Sequence, residues 1–252
     1  MGFYQLPKEE RQQRVVEINR AIFTALQAGK GGDLIVYFSN EDTCIRKTAY
    51  LAIGKIYNAN AGLQPTILPV LEELAAHTNE KIRQTAINAA GEIGMRDFAP
   101  IEHLMEKGLF DTHHSVRNAV IGSIKKMGEK NPGPVLLFAK RFLHHEDKEI
   151  RRQICHGIEL RGRTHPQDIL PLLKELEHDK TARVRNTLVH VLGQISYKKE
   201  CLTTVIAHLK TWQNSDVVDK ALEEIIDVHV RYKDFAVLTQ EQAKAYIDTH
   251  FN

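Results

Sequence analysis

Apolar and polar positions repeat along this chain with a fixed period. A β-branched residue followed by Arg recurs at five places, which begin at Ile45, Ile82, Val116, Ile150 and Val184. The first interval is 37 residues and the next three are 34 residues each. One more step of 34 reaches residue 218, where the apolar pattern continues without the Arg. A period of this length is typical of a solenoid built from helical hairpins.

The second helix of each predicted hairpin begins near the β-branched residue, which we number position 1. Positions 5, 8, 9 and 12 are then mostly apolar or small, and steps of three and four place them on one stripe of a helix. In three of the units these residues are Ala49, Ala52, Ile53 and Ile56; Ala86, Ala89, Ala90 and Ile93; and Leu188, Val191, Leu192 and Ile195. The stripe predicts the core face of each second helix.

An amphipathic first helix precedes each of these second helices. The predicted first helices cover residues 66–77, 100–110, 134–145, 168–179 and 201–212. The stretch "DLIVYF" at 33–38 is the only strand-like run, and we interpret it as the short buried first helix of unit one. Helices at 4–28 and 239–250 are predicted to cap the ends of the repeat array.

These elements predict an all-α fold, a right-handed α-α superhelix of about six helical hairpins. We expect residues 1–252 to form a single solenoid. An N-terminal cap should occupy residues 1–32, the repeats residues 33–230, and a C-terminal cap residues 231–252.

Charge is small in total but unevenly distributed. The formal net charge is +2, yet residues 111–185 hold 15 Lys and Arg against 10 Asp and Glu. Residues 216–252 hold 4 Lys and Arg against 8 Asp and Glu. The basic middle indicates either an ordinary solvated surface or a local site for an anionic partner.

Cysteine usage and hydropathy bear on the cellular compartment. The charged N-terminus lacks the apolar stretch of a signal peptide, and no apolar run is long enough to cross a bilayer. The three cysteines are far apart and show no paired spacing, which indicates reduced thiols. We expect a cytoplasmic protein with no membrane partner.

The repeat pattern resembles the HEAT-repeat family. The recurring Val/Ile–Arg pair, the small and apolar second helix, and a polar residue five positions before three of the pairs (Asn40, Asp111 and Asp179) carry this resemblance. In that family the polar residue and the Arg form a ladder between neighbouring units. The resemblance therefore implies a structural ladder, whose members here would be Arg46, Arg83, Arg117, Arg151 and Arg185. The competing interpretation is a line of phosphate-binding arginines.

Positions 3 and 7 of the second helices point away from the core stripe. In a solenoid of this kind these positions are expected to line the concave face, where partners usually bind. The candidate binding residues on this face are Lys47, Gln84, Asn88, Asn118, Arg152, His156, Asn186 and His190. Amides, imidazoles and basic groups can pair with a peptide backbone or with phosphates and sugars; the alternative is a solvated helix face.

The densest basic cluster lies in units four and five. Arg161, Arg163 and Arg183 stand in or beside loops there, and they form the candidate site for an anion or phosphate. The aromatic residues that would stack single-stranded bases are missing from this cluster.

Motifs of catalysis are missing from the sequence. It has no glycine-rich phosphate loop, no His-Glu-x-x-His and no nucleophile elbow. Cys155 adjoins His156, but neighbouring residues diverge by about 100° on a helix and do not form a catalytic pair. We predict no catalytic residue, no metal site and no small-molecule cofactor.

A second, local resemblance concerns residues 149–196, which are similar to the HEAT-like bacterial DNA alkylation-repair glycosylases. In that family a basic groove holds duplex DNA, and groove-facing tryptophans beside an acidic residue perform the chemistry. Here the single Trp, Trp212, ends a predicted first helix, and no Trp–Asp pair is present. Our preferred interpretation is a non-catalytic scaffold that holds a protein or peptide on its concave face. The alternative is a duplex-DNA-binding relative of these glycosylases without evident catalytic residues.

Overall fold

The protein is described by a computed structural model that covers residues 3–251. Its regular elements over this range are all helices, with no strand, so the predicted all-α class is confirmed. The chain divides into two compact units, unit 1 ending at Asn131 and unit 2 beginning at Pro132. The ends of the two predicted caps, residues 1–2 and 252, lie outside the described range, and the single-solenoid arrangement stays a prediction.

From residue 3 onward, unit 1 contains seven α-helices joined by short turns and 3-10 helices. The α-helices are α1 Lys8–Gln27, α2 Ile35–Phe38, α3 Thr43–Ala59, α4 Gln64–Leu74, α5 Glu80–Gly94, α6 Glu102–Leu109 and α7 His114–Lys130. The 3-10 helices are Phe3–Gln5, Gly31–Leu34, Ala61–Leu63 and Ala99–Ile101. The strand-like run at 33–38 is helical, as predicted. Leu34 and Phe38 lie four residues apart, on one face of this short helical segment, and both are buried.

The second helices of unit 1 are α3, α5 and α7, and they pack side by side. Their N-termini are capped by Asp42, Asn79 and His113, whose side chains accept a hydrogen bond from the main-chain N–H two residues later. Such caps satisfy one of the main-chain donors that the first helical turn leaves unpaired. The predicted core stripe of α3 and α5 is buried throughout.

Up to residue 251, unit 2 contains eight further α-helices. They are α8 Pro132–Phe142, α9 Lys148–Gly157, α10 Glu159–Gly162, α11 Pro166–Lys174, α12 Ala182–Gln194, α13 Cys201–Leu209, α14 Ser215–Arg231 and α15 Gln240–His250. Helix α12 packs between α9 and α14, and α15 packs on α14. The core stripe predicted for α12 is buried, with each of its four residues at 0% exposure.

Small residues set the distance between neighbouring second helices. A Cβ at Gly193 of α12 would lie 2.6 Å from the Glu224 Cγ atom on α14. In unit 1 a Cβ at Gly54 of α3 would lie 2.5 Å from the Glu92 Cβ atom on α5. Both glycines stand at position 10 of their helical repeats, so this close approach between second helices recurs at the same position of the repeat.

None of the helices within residues 3–251 is long and apolar enough to span a bilayer.

Candidate functional site

The recurring arginines close the turns between paired helices. In all five, the Nη1 group donates to the main-chain oxygen six residues earlier. For Arg83 the acceptor is the His77 oxygen at 2.9 Å, and for Arg151 it is the His145 oxygen at 2.7 Å. The guanidinium thus satisfies carbonyl groups at the end of the first helix, which a helix terminus leaves without partners.

Two of the five arginines also reach a carboxylate in the following helical repeat. Arg83 donates from Nε and Nη2 to the two oxygens of Asp111, at 2.7 and 2.9 Å. Arg151 does the same to Asp179, at 2.5 and 3.1 Å. Burial by itself raises the pKa of Asp179, but the bonds from Arg151 and the Thr181 N–H outweigh burial and hold it below its ordinary value. Each bidentate pair is a structural contact between one helical repeat and the next within the same compact unit.

Helices α9 and α12 line an open surface cavity of about 390 Å³, which we call the α9–α12 cavity. Its lining residues are Arg152, His156, Arg183, Asn186, Thr187 and His190. The structure therefore brings together the four residues predicted at positions 3 and 7 of units four and five. Thr187 stands at position 4 of its repeat, and it was missed because the sequence analysis assigned only positions 3 and 7 to the concave face.

The other four candidate binding residues lie in unit 1. Lys47 and Asn118 are exposed on α3 and α7, and Gln84 and Asn88 are half-buried on α5. The Asn88 amide donates to the Gln84 main-chain oxygen at 3.0 Å, so part of its hydrogen-bonding capacity is used locally. A cavity of about 500 Å³ between α3 and α5 is lined by other residues.

Most basic charge near the α9–α12 cavity is bound to carboxylates. Arg152 donates two hydrogen bonds to Glu149, at 3.0 and 2.6 Å. The same bonds lower the pKa of Glu149. Arg183 approaches this carboxylate at 3.9 Å, and 68% of its side chain is exposed. Arg183 is therefore the more available cation of the two.

The three arginines of the predicted anion site do not all face one cavity. Arg183 lines the α9–α12 cavity, but Arg161 binds Asp168 at 2.7 and 2.6 Å. Arg163 donates to the Glu159 carboxylate at 2.6 Å and to the Gln194 side-chain oxygen at 2.7 Å.

Glu159 is a candidate functional residue that sequence reasoning missed. Its side chain is 2% exposed, and one carboxylate oxygen lies 3.2 Å from His156 Nε2. A signal was present, because Glu159 occupies position 10 of its unit, where Gly54, Gly91 and Gly193 stand in three others. The second helix of this unit is also interrupted at Ile158, between α9 and α10. The repeat departs from its own pattern at the edge of the cavity, as functional sites often do.

Two histidines face each other in the same cavity. The ring centroids of His156 and His190 are 6.0 Å apart, and His190 Nδ1 lies 3.5 Å from Glu224 on α14. The structure thus surrounds two imidazoles with two carboxylates, a combination that can carry protons or bind a metal.

Cys155 and Trp212 are not part of this cavity's chemistry. Burial raises the pKa of the Cys155 thiol, which disfavours the thiolate needed of a nucleophile. Trp212 is buried beyond the end of α13 and donates from Nε1 to His208 Nδ1 at 2.8 Å. Both are accounted for by packing.

Comparison with known protein families gives a match for part of the repeat array. Residues 135–226 match the family model described as HEAT repeats. The match lies within unit 2 and includes α9, α12 and the cavity between them, so the resemblance drawn from the recurring Val/Ile–Arg pairs is confirmed.

Two solved structures are similar to this chain in fold. AlkD2 from Streptococcus mutans is 17% identical with a TM-score of 0.57, over 76% of this chain and 95% of AlkD2. A structure of crescerin, which uses a TOG domain array to regulate microtubules in the primary cilium, is 15% identical with a TM-score of 0.50, over 96% of each chain. No curated protein sequence matches the chain. At these identities the likenesses establish the HEAT-type α-solenoid fold alone.

Proposed function

We propose that this HEAT-repeat protein is a cytoplasmic, non-catalytic scaffold that holds an extended segment of a protein partner in the α9–α12 cavity. The observation that carries the proposal is the chemistry of the lining. It presents an amide, a hydroxyl and two imidazoles, together with Arg152, whose charge is compensated by Glu149, and the exposed Arg183. Groups that both donate and accept suit the alternating N–H and C=O groups of a peptide backbone.

The charge arrangement favours a protein partner over nucleic acid. Binding to duplex DNA depends on cations that are free to neutralise phosphates. Around the cavity, Arg151, Arg152, Arg161 and Arg163 each donate to a carboxylate at 3.1 Å or less. A phosphate would have to displace those carboxylates, leaving them partly buried without partners, which is unfavourable.

The exposure of the lining residues is suited to binding. Asn186 and Arg183 are exposed, while His156, His190 and Thr187 are half-buried. A peptide lying across α9 and α12 would meet polar groups at the surface without having to open the core. Helix α12 packs against α9 and α14, so the lining is presented on packed helices rather than on loops.

Site-specific photo-crosslinking tests this proposal. Asn186 is replaced by a photo-crosslinking residue in the full chain, and Gln167, exposed on α11, is replaced in a matched control. We expect a protein adduct from position 186 and none from position 167, mapping to one segment of one partner. Equal adducts from both positions, or adducts with nucleic acid, would contradict the proposal.

Duplex DNA is the second candidate partner, and the exposed Arg183 is the observation that favours it. The similar fold of AlkD2 agrees with this candidate without deciding it. A DNA complex made through phosphates should weaken steeply as salt rises, whereas a protein-binding cavity should show no DNA affinity to titrate. A salt series of duplex-DNA binding therefore separates the two candidates directly.

A further inference from the structure

Three metal-ligating side chains converge at one edge of the α9–α12 cavity. His156, Glu159 and His190 each offer one donor atom, and the three atoms lie within 4.8 Å of one another. They come from α9, α10 and α12, all within unit 2. Over the part of the chain that the structure describes, no other set of His, Cys, Asp and Glu side chains meets this spacing.

The carboxylate of Glu159 is held in a fixed orientation. Arg163 donates to its Oε1 atom at 2.6 Å, while its Oε2 atom lies 3.2 Å from His156 Nε2. One oxygen is thus anchored and the other faces the imidazoles. Because the side chain is 2% exposed, bulk water does not compete strongly for that second oxygen.

A further carboxylate orients the second histidine. His190 Nδ1 lies 3.5 Å from Glu224 Oε1 on α14. A carboxylate at this distance can pair with Nδ1, so Nε2 is the ring nitrogen available to a metal. Metal-bound histidines in proteins usually have an outer partner of this kind.

The surrounding charges do not oppose a cation. Arg152 is bound to Glu149, Arg163 to Glu159, and Arg231 to Glu224. Each guanidinium is therefore compensated by a carboxylate. Arg183, the remaining cation of the cavity, lies at its rim with most of its side chain in solvent.

We infer that His156, Glu159 and His190 form a binding site for a divalent transition-metal ion of the zinc type. Two imidazole nitrogens and one carboxylate oxygen are a ligand set that zinc accepts, and they suit Mg²⁺ and Ca²⁺ poorly. Ligand atoms around tetrahedral zinc lie about 3.3 Å apart, so the widest spacing in the set, which is at most 4.8 Å, must contract by up to about 1.5 Å. The two histidine side chains are 32% and 43% exposed and can rotate to do so.

The site would leave one coordination position directed to the cavity. Water or a carboxylate of a bound segment could fill it, but the inference does not depend on the proposed partner. It replaces the expectation from sequence that no metal is bound. That expectation did not group Glu159 with the two histidines.

Zinc titration of the purified full-length chain tests the inference. Calorimetry should give one zinc ion per chain, and Mg²⁺ and Ca²⁺ should give no comparable signal. When zinc exceeds its dissociation constant by about 100-fold, Tm should rise by roughly 5–10 °C. Absence of zinc binding, or equal binding of Mg²⁺ or Ca²⁺, would overturn the inference.

Variants locate the ion. His190→Ala should weaken zinc binding by at least about 100-fold, which exceeds the usual effect of removing an outer partner. His178→Ala, at an exposed turn histidine, should bind zinc as the natural chain does. Glu159→Gln is expected to lose binding too, but it also breaks a buried pair, so His190→Ala carries the test. Unchanged affinity in His190→Ala would show that zinc binds elsewhere and reject the site.

Discussion

Arg151 and Asp179 lie 28 residues apart in sequence and are joined by two hydrogen bonds, from Nε at 2.5 Å and from Nη2 at 3.1 Å. Their side chains are 13% and 5% exposed. Arg83 and Asp111 have the same separation and the same pairing in unit 1. One repeat therefore holds the next through a bidentate ion pair shielded from solvent, and such pairs are stronger than exposed ones.

We predict that Arg151→Ala lowers the free energy of unfolding by about 2–3 kcal/mol. The substitution leaves the Asp179 carboxylate and two main-chain oxygens without their charged donor. Urea unfolding measures the effect. Arg185→Ala is the matched control, because Arg185 donates to the main-chain oxygen of Asp179 and to no carboxylate among residues 3–251. Its cost should be about 1 kcal/mol, and equal losses would contradict the importance of the ion pair.

The same pair predicts a dependence of stability on pH. The pKa of Asp179 is lowered in the folded state, since the bonds from Arg151 and the Thr181 N–H outweigh the effect of burial. Its contribution to stability is therefore complete above the unfolded pKa of about 3.9 and is lost as pH falls through the lower, folded pKa. Urea unfolding between neutral and strongly acidic pH should show this loss. Asp179→Asn should be less stable at neutral pH and should lose less on acidification; a parallel pH curve would count against this cause.

Close packing of second helices predicts opposite effects of two glycine substitutions. In Gly193→Ala the new Cβ would lie 2.6 Å from Glu224 Cγ and 3.0 Å from Val228 Cγ2, so α12 and α14 must separate. We expect a loss of about 1–3 kcal/mol. Gly122→Ala, inside α7, places its Cβ in open space and should stabilise by about 0.5–1 kcal/mol. Thermal unfolding measures both, and a stabilising Gly193→Ala would refute the close approach.

Partner binding should depend on the α9–α12 cavity rather than on exposed polar residues in general. Asn186→Ala removes an exposed amide from the lining and should change stability by no more than about 0.5 kcal/mol. Binding of the crosslinked partner should weaken, and pull-down with a concentration series measures by how much. Gln167→Ala removes an exposed amide from α11 and should affect neither property. Equal weakening by both variants would move the binding surface away from this cavity.

Thiol reactivity should follow burial. Burial raises the pKa of Cys155, and its side chain is 0% exposed. Cys44, at the start of α3, is half-buried. We expect an alkylating reagent at mildly alkaline pH to modify Cys44 first and to leave Cys155 unmodified in the folded chain. Mass spectrometry of the digested protein identifies the site, and early modification of Cys155 would show that α9 opens more readily than its packing indicates.

The local spacing of apolar residues was sufficient to predict the helices. The spacing of Ala86, Ala90 and Ile93 on α5, and of the corresponding residues on α12, marks a buried stripe because helix periodicity is a property of neighbouring residues. The run at 33–38 shows the limit of this reasoning. Its apolar residues suit a strand or a buried helix equally, and only the position of the run in the repeat favoured the helix.

The tertiary structure alone decided which charges are available. From sequence, Arg161 and Arg163 are members of a basic cluster, but folding places Asp168 and Glu159 beside them. The Arg161–Asp168 pair depends on how α10 and α11 turn, whereas the Arg163–Glu159 pair has ordinary helix spacing and depends on the fold for its burial. The sequence shows which residues are charged, whereas the fold determines the distances between their charged groups.

The sequence by itself determined the repeat, the helical class and the register in which Arg152, His156, Asn186 and His190 face one cavity. These follow from two periodicities, 3.6 residues within a helix and 34 residues between units. The place of Glu159 was decided by tertiary structure, because the helix is interrupted one residue before it and the carboxylate is balanced by Arg163 from the next turn. A buried carboxylate beside two histidines is a long-range arrangement, and residue spacing along one helix does not specify it.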